Sequence, residues 1–148
     1  MKNIFAALLL LSSATFAQNR PNRDQPPAPI RQSFNRDHSA NPDNAAWTKT
    51  SSNWHANFRD NNNHNVDSYY DRRGNRIATH REIDRRDVPR SLDTRINERY
   101  HVNGNYNVRR IERPNAQPLF QIGLQLGSGN RTIYLDAQGR ERQYRSPY

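Results

Sequence analysis

The sequence predicts an α+β domain with two layers, in which helices lie on one face of an antiparallel sheet. Two observations lead to this prediction. Segments whose apolar residues alternate with polar ones, the periodicity of half-buried strands, occur in two groups of three. A segment with helical features precedes each group, so a duplicated helix-plus-three-strand (α-β-β-β) unit is expected. Antiparallel strands with one buried face would receive both helices on that face.

The first 17 residues have the pattern of a secretory signal peptide. Lys2 supplies the positive start, residues 4–11 are an apolar run, and Thr15 and Ala17 fit the −3 and −1 positions of a signal-peptidase site. We therefore expect cleavage before Gln18 and a periplasmic or secreted bacterial protein. No run of 18 or more apolar residues is present, so no transmembrane segment is predicted.

Length and composition limit the possible function. A chain of 148 residues, of which 32% are hydrophobic, suits one small domain. The absence of cysteine excludes disulfides, thiol catalysis and cysteine-based zinc sites. Residues 18–40 contain four prolines, and only Ile30 and Phe34 among them are large and apolar. Such a segment buries too little surface to offset its ordering entropy, so we expect a flexible leader. A tether that reaches a partner is the functional alternative for this segment.

The first unit is expected to begin at residue 41. Asn41 is a good N-cap and Pro42 suits the first helical position, so a short helix is predicted through Trp47. Three strands should follow it, at residues 54–58, 66–71 and 76–83. The turn before the third strand contains Gly74, which can adopt positive φ.

The second unit is expected to repeat this order. Pro89 suits the first turn of a helix whose apolar residues recur every four positions, at Val88, Leu92, Ile96 and Tyr100. Strands are predicted at residues 106–113, 120–126 and 131–136, followed by a frayed tail at 141–148.

Local echoes between the halves suggest duplication, with repeats at about 41–84 and 85–140. Residues 70–74 and 135–139 share the order apolar, Asp, two polar residues, Gly. Asn41-Pro42 opens the first helix much as Val88-Pro89 opens the second. Ordinary hairpin turns would also explain the Asp and Gly residues, which are common in turns.

The helix and strands of the second half also carry a family resemblance. Pro89, Leu92, Ile96 and Tyr100 look like a Pro-led helix, residues 108–112 and 120–124 like two strands, and residues 133–136 with Gly139 like a closing strand and turn. With the similar residues 54–58 and 69–74, they make residues 41–140 resemble the PepSY-like, beta-lactamase-inhibitor-protein-like (BLIP-like) family of exported bacterial proteins. The shortened region between Trp47 and Trp54 departs from the family pattern.

The resemblance implies a helix-on-sheet repeat without a cofactor or catalytic residues. Related domains include peptidase propeptides and a beta-lactamase inhibitor, so the resemblance suggests binding or inhibition. It transfers no functional residue to this chain, because the shared positions are core and turn positions.

The chain is basic, with a net charge of +9 that comes from 21 arginines and only 2 lysines. Guanidinium groups form bidentate pairs with carboxylate and phosphate and stack on aromatic rings. A nucleic-acid surface is conceivable, but Asp71, Glu82, Asp84 and Asp87 are interleaved with the arginines and favour a solvated, partly paired face. Anionic partners in the envelope would be acidic proteins, phosphorylated lipid headgroups or anionic glycans.

Motifs for metal binding or catalysis are missing. The five histidines form no His-Glu-x-x-His run, and Asp60-x-Asn62-x-His64 lacks the glycine and glutamate of a calcium loop. Neither Gly-x-Ser-x-Gly nor a phosphate-binding loop occurs. We therefore predict no metal, no cofactor and no catalytic residue, which leaves only a hydrolase with an unrecognised site as an enzymatic reading.

A binding face is expected on the side of the sheet that the helices leave open. Tyr69 and Tyr134 should point away from Tyr70 and Leu135, which face the core. The leading interpretation is a non-enzymatic exported module that docks a protein partner and could inhibit a hydrolase. The alternative is an envelope structural or stress protein that binds anionic lipid or glycan through arginine. The predicted binding residues are Tyr69, Arg76, Arg81, Arg109 and Tyr134.

Overall fold

The computed structural model describes residues 25–39, 42–102 and 104–147. These residues form one antiparallel sheet of seven strands, in which every strand pairs with its neighbours in the chain, and two α-helices that pack on the sheet. The predicted signal peptide and the first part of the predicted leader lie outside the described residues.

The elements are defined here in chain order. The helices are α1 (Ala28–His38) and α2 (Arg90–Tyr100), and short 3-10 turns span Pro42–Asn44 and Arg85–Asp87. The strands are β1 (Ala46–Lys49), β2 (Asn53–Arg59), β3 (Asn65–Asp71), β4 (Arg76–Glu82), β5 (Tyr106–Glu112), β6 (Leu119–Leu126) and β7 (Gly129–Leu135).

Helix α1 shows that the prediction of a flexible leader across residues 18–40 is wrong for residues 28–38. Ile30 and Phe34 are fully buried in one apolar cluster with Trp47 and Trp54. The Phe34 ring lies edge-on to Trp47 at a centroid distance of 5.2 Å. Pro29 does not interrupt the helix, because it lies in the first turn, where an amide has no intrahelical acceptor. Two well-placed apolar side chains are therefore enough to dock this helix.

The helix predicted from residue 41 through Trp47 is also wrong. Residues 42–44 form a single 3-10 turn, and the chain then enters β1, where Trp47 pairs with Ala56 of β2. Pairing with β2 overrides the local helical signal. The first unit thus consists of α1 and four strands, and the second consists of α2 and three. The α+β class, the two layers and the duplication are confirmed, with one strand more than predicted.

Both helices lie on the same face of the sheet. Tyr70 belongs to the α1 cluster and Leu135 to the α2 cluster. Residues paired directly across antiparallel strands lie on the same face of the sheet. Successive cross-strand pairs lead from Val66 through Arg81 to Leu135, so these residues lie on one side. We call this side the helix face, and the opposite side, which contains Tyr69 and Tyr134, the outer face.

The two helices are copies of one design. Each begins after a proline, Pro27 or Pro89, and its two buried apolar residues lie three and seven positions later. Each ends at a residue with left-handed backbone, Ser39 or His101, whose amide donates to the carbonyl four residues back. The duplication therefore starts at the helices and includes residues before 41.

The turns repeat as well. The Gly74 amide donates to the Asp71 carbonyl at 3.1 Å, and the Gly139 amide to the Asp136 carbonyl at 2.9 Å. In both turns the Oδ1 of the aspartate accepts the amides two and four residues later. Asp60 makes the same pattern in the β2–β3 turn. Each aspartate thus fixes a tight reversal that sets the register of the strands beside it.

Candidate functional site

The outer face carries the candidate site. Alternation along the strands places His55 of β2, Tyr69 of β3, His80 of β4, Arg109 of β5 and Tyr134 of β7 on this face. Within the described residues no helix packs on it. Polar and aromatic side chains from most strands of the sheet thus converge on one surface.

A carboxylate lies at the centre of a polar cluster on this face. Asp67 is buried, and its Oδ1 accepts a hydrogen bond from Asn57 Nδ2 at 2.8 Å and lies 2.7 Å from His55 Nε2. Arg109 forms an ion pair with the other carboxylate oxygen. Burial acts to raise the pKa of Asp67, but the bonds from His55, Arg109 and Asn57 outweigh it and hold the pKa well below its ordinary range. Asp67 is therefore ionised, and the charge of Arg109 is largely used inside the protein.

Aromatic rings form a row across the outer face. His55 stacks on Tyr69 with centroids 4.8 Å apart, and Tyr69 contacts His80 at 5.1 Å. The row continues through Tyr144, which lies 5.5 Å from His80 and 5.2 Å from Tyr134. Tyr144 follows the last strand, so the chain's own C-terminal residues complete the row.

The C-terminal segment begins beside the edge of β7. Glu141 forms an isolated bridge with Leu135, and the Arg142 amide donates to the Tyr134 carbonyl at 2.8 Å. Arg142 also donates from Nε and Nη2 to Asp136, at 3.1 and 2.8 Å. These contacts hold the start of the segment against the edge of β7.

The segment then crosses the outer face, and we call residues 141–147 the strap. The Tyr144 hydroxyl lies 2.7 Å from His80 Nε2, and the guanidinium of Arg113 lies 5.7 Å from the centre of the Tyr144 ring. Farther on, Asn53 of β2 donates to the Pro147 carbonyl at 2.8 Å. The expectation of a frayed tail is therefore wrong for these residues, because polar partners on three strands bind them.

Apolar residues lie beneath the strap. Ala78, Ile111 and Leu119 alternate onto the outer face, yet they are 1%, 0% and 6% exposed. The helices lie on the other side, so the strap and neighbouring outer-face side chains shield them. The outer face is consequently less exposed to solvent, and it has fewer unpaired guanidinium groups, than we expected from the sequence.

The surroundings of His80 lower its pKa. Burial is the largest effect on its pKa, and the charge of Arg109 adds to it, so that the pKa falls to about 4. At neutral pH His80 is uncharged, and its Nε2 can accept a hydrogen bond from the Tyr144 hydroxyl.

Three of the five predicted binding residues lie together on the outer face. Tyr69, Arg109 and Tyr134 are there, although Tyr69 is only 1% exposed. The expectation that Tyr69 and Tyr134 point away from Tyr70 and Leu135 is confirmed.

The other two predicted residues lie on the helix face, so the five do not form one surface. Arg76 is opposite Tyr70 and lies 4.0 Å from Asp37 of α1. Arg81 is opposite Val66 and forms an ion pair with Asp60. Alternation along β4 turns Arg81 towards the helices, and the register shift opposite Tyr69 and Tyr70 brings Arg76 to the same side.

Asp67 and Tyr144 were not predicted as members of the site. Alternation along β3 could have placed Asp67 on the same face as Tyr69. No local signal marks Tyr144, because its position depends on where a seven-residue segment runs after the last strand.

A serine–histidine pair occurs on the helix face. His38 Nε2 lies 2.8 Å from Ser68 Oγ, which lies 2.9 Å from Thr79 Oγ1. Ser68 has no exposed surface, so no substrate can reach its hydroxyl. The pair satisfies buried polar groups beside α1 and has a structural role.

Other features of the described residues concern ligands and membranes. A cavity of about 380 Å³ opens at the end of the β4–β5 pair, beside Arg109, Glu82, Asp84 and Tyr106. In residues 25–39, 42–102 and 104–147, no three histidine, aspartate or glutamate side chains are grouped so that they could hold a metal ion. None of the helices in this part of the chain is long and apolar enough to cross a bilayer.

Comparisons with known proteins identify the fold. No protein-family model matches the chain. No curated protein sequence matches it either. Solved structures do match. A DUF2874 family protein from Bacteroides ovatus is 18% identical with a TM-score of 0.70, and the match covers 81% of this chain and 86% of that one.

Two further structures share this fold. A BLIP-like protein from Bacteroides fragilis is 18% identical with a TM-score of 0.65, over 80% of this chain and 84% of its own. A protein from Bacteroides eggerthii whose given name places it in the periplasm is 14% identical with a TM-score of 0.71, over 80% and 87%. The chain therefore has the fold of a BLIP-like protein.

Proposed function

We propose that this protein is an exported binding module that docks a protein partner on its outer face. The observation that carries the proposal is the composition of that face. Arg109, Tyr134 and Tyr144 are partly exposed on this face, and they lie beside buried polar and aromatic groups that include Asp67 and Tyr69. Aromatic side chains and arginine around an apolar centre are typical of protein interfaces.

The comparisons support export and binding as a joint proposal. One structure of the same fold is named BLIP-like, and another is assigned to the periplasm by its name. The signal-like first 17 residues point to the same compartment. Inhibition of a hydrolase is the finer form of the proposal, in which the docked partner is an enzyme.

Catalysis is not part of the proposed function. The Ser68–His38 pair is closed to substrate. The acid Asp67 is held ionised by its partners, which makes it unfit as a general acid. A pure binding role needs neither group to react.

Affinity capture from periplasmic extract tests this proposal. The chain from Gln18 should retain a partner protein in moderate salt, and the double variant Arg109→Ala/Tyr134→Ala should lose it. The matched control is Arg90→Ala, which removes an exposed arginine from α2 on the other face. Equal capture by all three proteins would exclude the outer face as the docking surface.

The alternative partner is an anionic lipid or glycan. Exposed arginines such as Arg72, Arg73 and Arg90 favour it, since surface guanidinium groups attract phosphate and carboxylate. Retention on anionic vesicles that falls steeply as salt rises would support this alternative. Binding that survives salt and needs Tyr134 would favour the protein partner.

A further inference from the structure

We propose that the outer face contains a groove for an extended peptide with the pattern Arg-x-Tyr, and that the strap occupies this groove in the isolated protein. This inference rests on the proposed function and names the chemistry of the partner. A partner segment with the same pattern would displace the strap and take over its contacts.

The first element of the groove is a free backbone edge. Beyond the bridge at Leu135 and Glu141 and the bond from Arg142 to Tyr134, the strap leaves β7. In the first unit the equivalent pair, Tyr70 with Arg76, continues into the full strand β4. Among the described residues the edge of β7 thus pairs only with the start of the strap, and a foreign segment can add to such an edge.

The second element is a socket for a phenol. His80 is 3% exposed and uses Nε2 to bind the Tyr144 hydroxyl, while Arg113 and Tyr134 contact the ring. A phenylalanine in the socket would leave the buried imidazole without that partner. Burial of an unsatisfied polar group is costly, so the socket selects tyrosine over phenylalanine.

The third element is a carboxylate that binds the arginine two residues before the tyrosine. Asp136 is 7% exposed, and two of its bonds come from the guanidinium of Arg142. Tyr144 lies two residues beyond Arg142, and its hydroxyl reaches His80 while the Arg142 guanidinium stays on Asp136. These contacts together define the pattern Arg-x-Tyr.

The strap is suited to being displaced. Gln143, Arg145 and Ser146 are exposed, so the crossing part of the strap depends mainly on Tyr144 and on one bond to the Pro147 carbonyl. A tethered segment competes at an effective concentration in the millimolar range. A partner peptide must bind the groove tightly enough to displace the tethered strap. The strap therefore sets the minimum affinity for binding.

Titration with a synthetic peptide of residues 140–148 tests the proposal on the full chain from Gln18. The double variant Arg142→Ala/Tyr144→Ala weakens the strap and should bind the peptide at least about tenfold more tightly than the wild-type protein, because the competitor is lost. Arg145→Ala is the matched control, since it changes an exposed strap residue, and it should behave like wild type. Peptides carrying Tyr144→Phe or Arg142→Ala should bind the double variant several-fold more weakly.

The outcomes separate this inference from the proposed function. If the double variant keeps its circular dichroism spectrum and does not bind the peptide, or binds no more tightly than wild type, the inference is overturned while capture of a partner can still stand. A wild-type dimer that dissociates in the Tyr144→Ala variant would also overturn it, because the occupant would then be a second copy of the chain. Tighter peptide binding by the double variant, with selectivity for tyrosine, would confirm it.

Discussion

Gly74 and Gly139 occupy the same position in two copies of one turn, and each lies against the helix of its own unit. A Cβ atom at Gly74 would lie 2.9 Å from the carbonyl oxygen of Pro29 in α1, and a Cβ at Gly139 would lie 2.3 Å from Cδ of Arg95 in α2. Both glycines have left-handed backbone, with φ of 89° and 75°. The turn is thus both a reversal of the chain and a contact between sheet and helix.

Gly74→Ala should destabilise the protein strongly. The left-handed conformation alone costs a residue with a Cβ about 1–2 kcal/mol. The new methyl group would also meet backbone at Pro29, which cannot rotate away. We expect the free energy of unfolding in urea to fall by more than the conformational cost. A change within error of zero would contradict the observed turn geometry.

Gly139→Ala serves as the matched comparison. It carries the same backbone cost, but its Cβ would meet a flexible arginine side chain that can move aside. We therefore expect a loss of about 1–2 kcal/mol in urea unfolding. A larger loss at Gly139 than at Gly74 would contradict the proposed difference between backbone and side-chain contacts.

Helix α1 should be part of the cooperative core. Phe34 is fully buried against Trp47 and Phe58, so Phe34→Ala should lower the free energy of unfolding by about 3–5 kcal/mol. The exposed Arg31 on the same helix is the control, and Arg31→Ala should cost less than about 0.5 kcal/mol. A small effect at Phe34 would mean that α1 docks weakly and folds apart from the sheet.

The two helices show what the sequence could and could not reveal. Helix α2 was predictable because Pro89 lies at the start of a stripe of apolar residues that recur every four positions. Helix α1 offers only Ile30 and Phe34 among polar residues and prolines, and its burial depends on aromatic partners contributed by β1 and β2. The local sequence pattern predicts a helix that has a continuous apolar stripe of its own. It does not predict a helix whose burial depends on apolar residues from distant parts of the chain.

The sheet and the site show the same limit. Strand alternation predicted the strands around Trp54, Tyr70 and Phe120, and it placed Tyr69 and Tyr134 on the outer face. The prediction for Trp47 was wrong because the short strand that contains it depends on pairing with β2. Tyr144 was not predicted because only the folded sheet brings His80 of β4 and Tyr134 of β7 into contact with its ring.

Acid should destabilise the protein well above the range in which most carboxylates titrate. Burial lowers the pKa of His38 and of His80 from 6.5 to about 4. Below pH 6.5 these histidines bind protons in the unfolded chain but not in the folded protein. Their contribution to the free energy of unfolding is therefore fully present above pH 6.5 and is lost as pH falls towards 4. The charged and titratable groups around them are Asp37, Arg76 and Arg81 for His38, and Arg109, Asp67 and His55 for His80.

Thermal unfolding between pH 6.5 and 4 measures this effect. We expect Tm to fall across this window in the wild-type protein and to fall less steeply in His38→Gln and in His80→Gln, because each variant removes one proton uptake by the unfolded state. A Tm that stays constant or rises as pH is lowered would show that both imidazoles bind protons in the folded protein.

The strap should loosen when Asp136 loses its charge. Burial acts to raise the pKa of Asp136, but the hydrogen bonds from Arg140 and Arg142 outweigh it and lower the pKa to about 2, so the carboxylate is ionised above that pH. Asp136→Asn keeps an oxygen for the two turn amides and removes the ion pairs. Partly exposed ion pairs of this kind contribute about 0.5–1 kcal/mol. We therefore expect amide hydrogen exchange of residues 142–146 to become about two- to fivefold faster.

Asp71→Asn is the control for this prediction, because Asp71 makes the same turn in the first unit but binds Asn75 where Asp136 binds arginine. It should leave exchange in the strap unchanged. If Asp136→Asn accelerates exchange throughout β6 and β7 as well as in the strap, the carboxylate holds the sheet edge itself. Faster exchange confined to the strap would show that Arg142 and Asp136 fasten a segment that can leave while the sheet stays folded, which is the condition for a partner to enter.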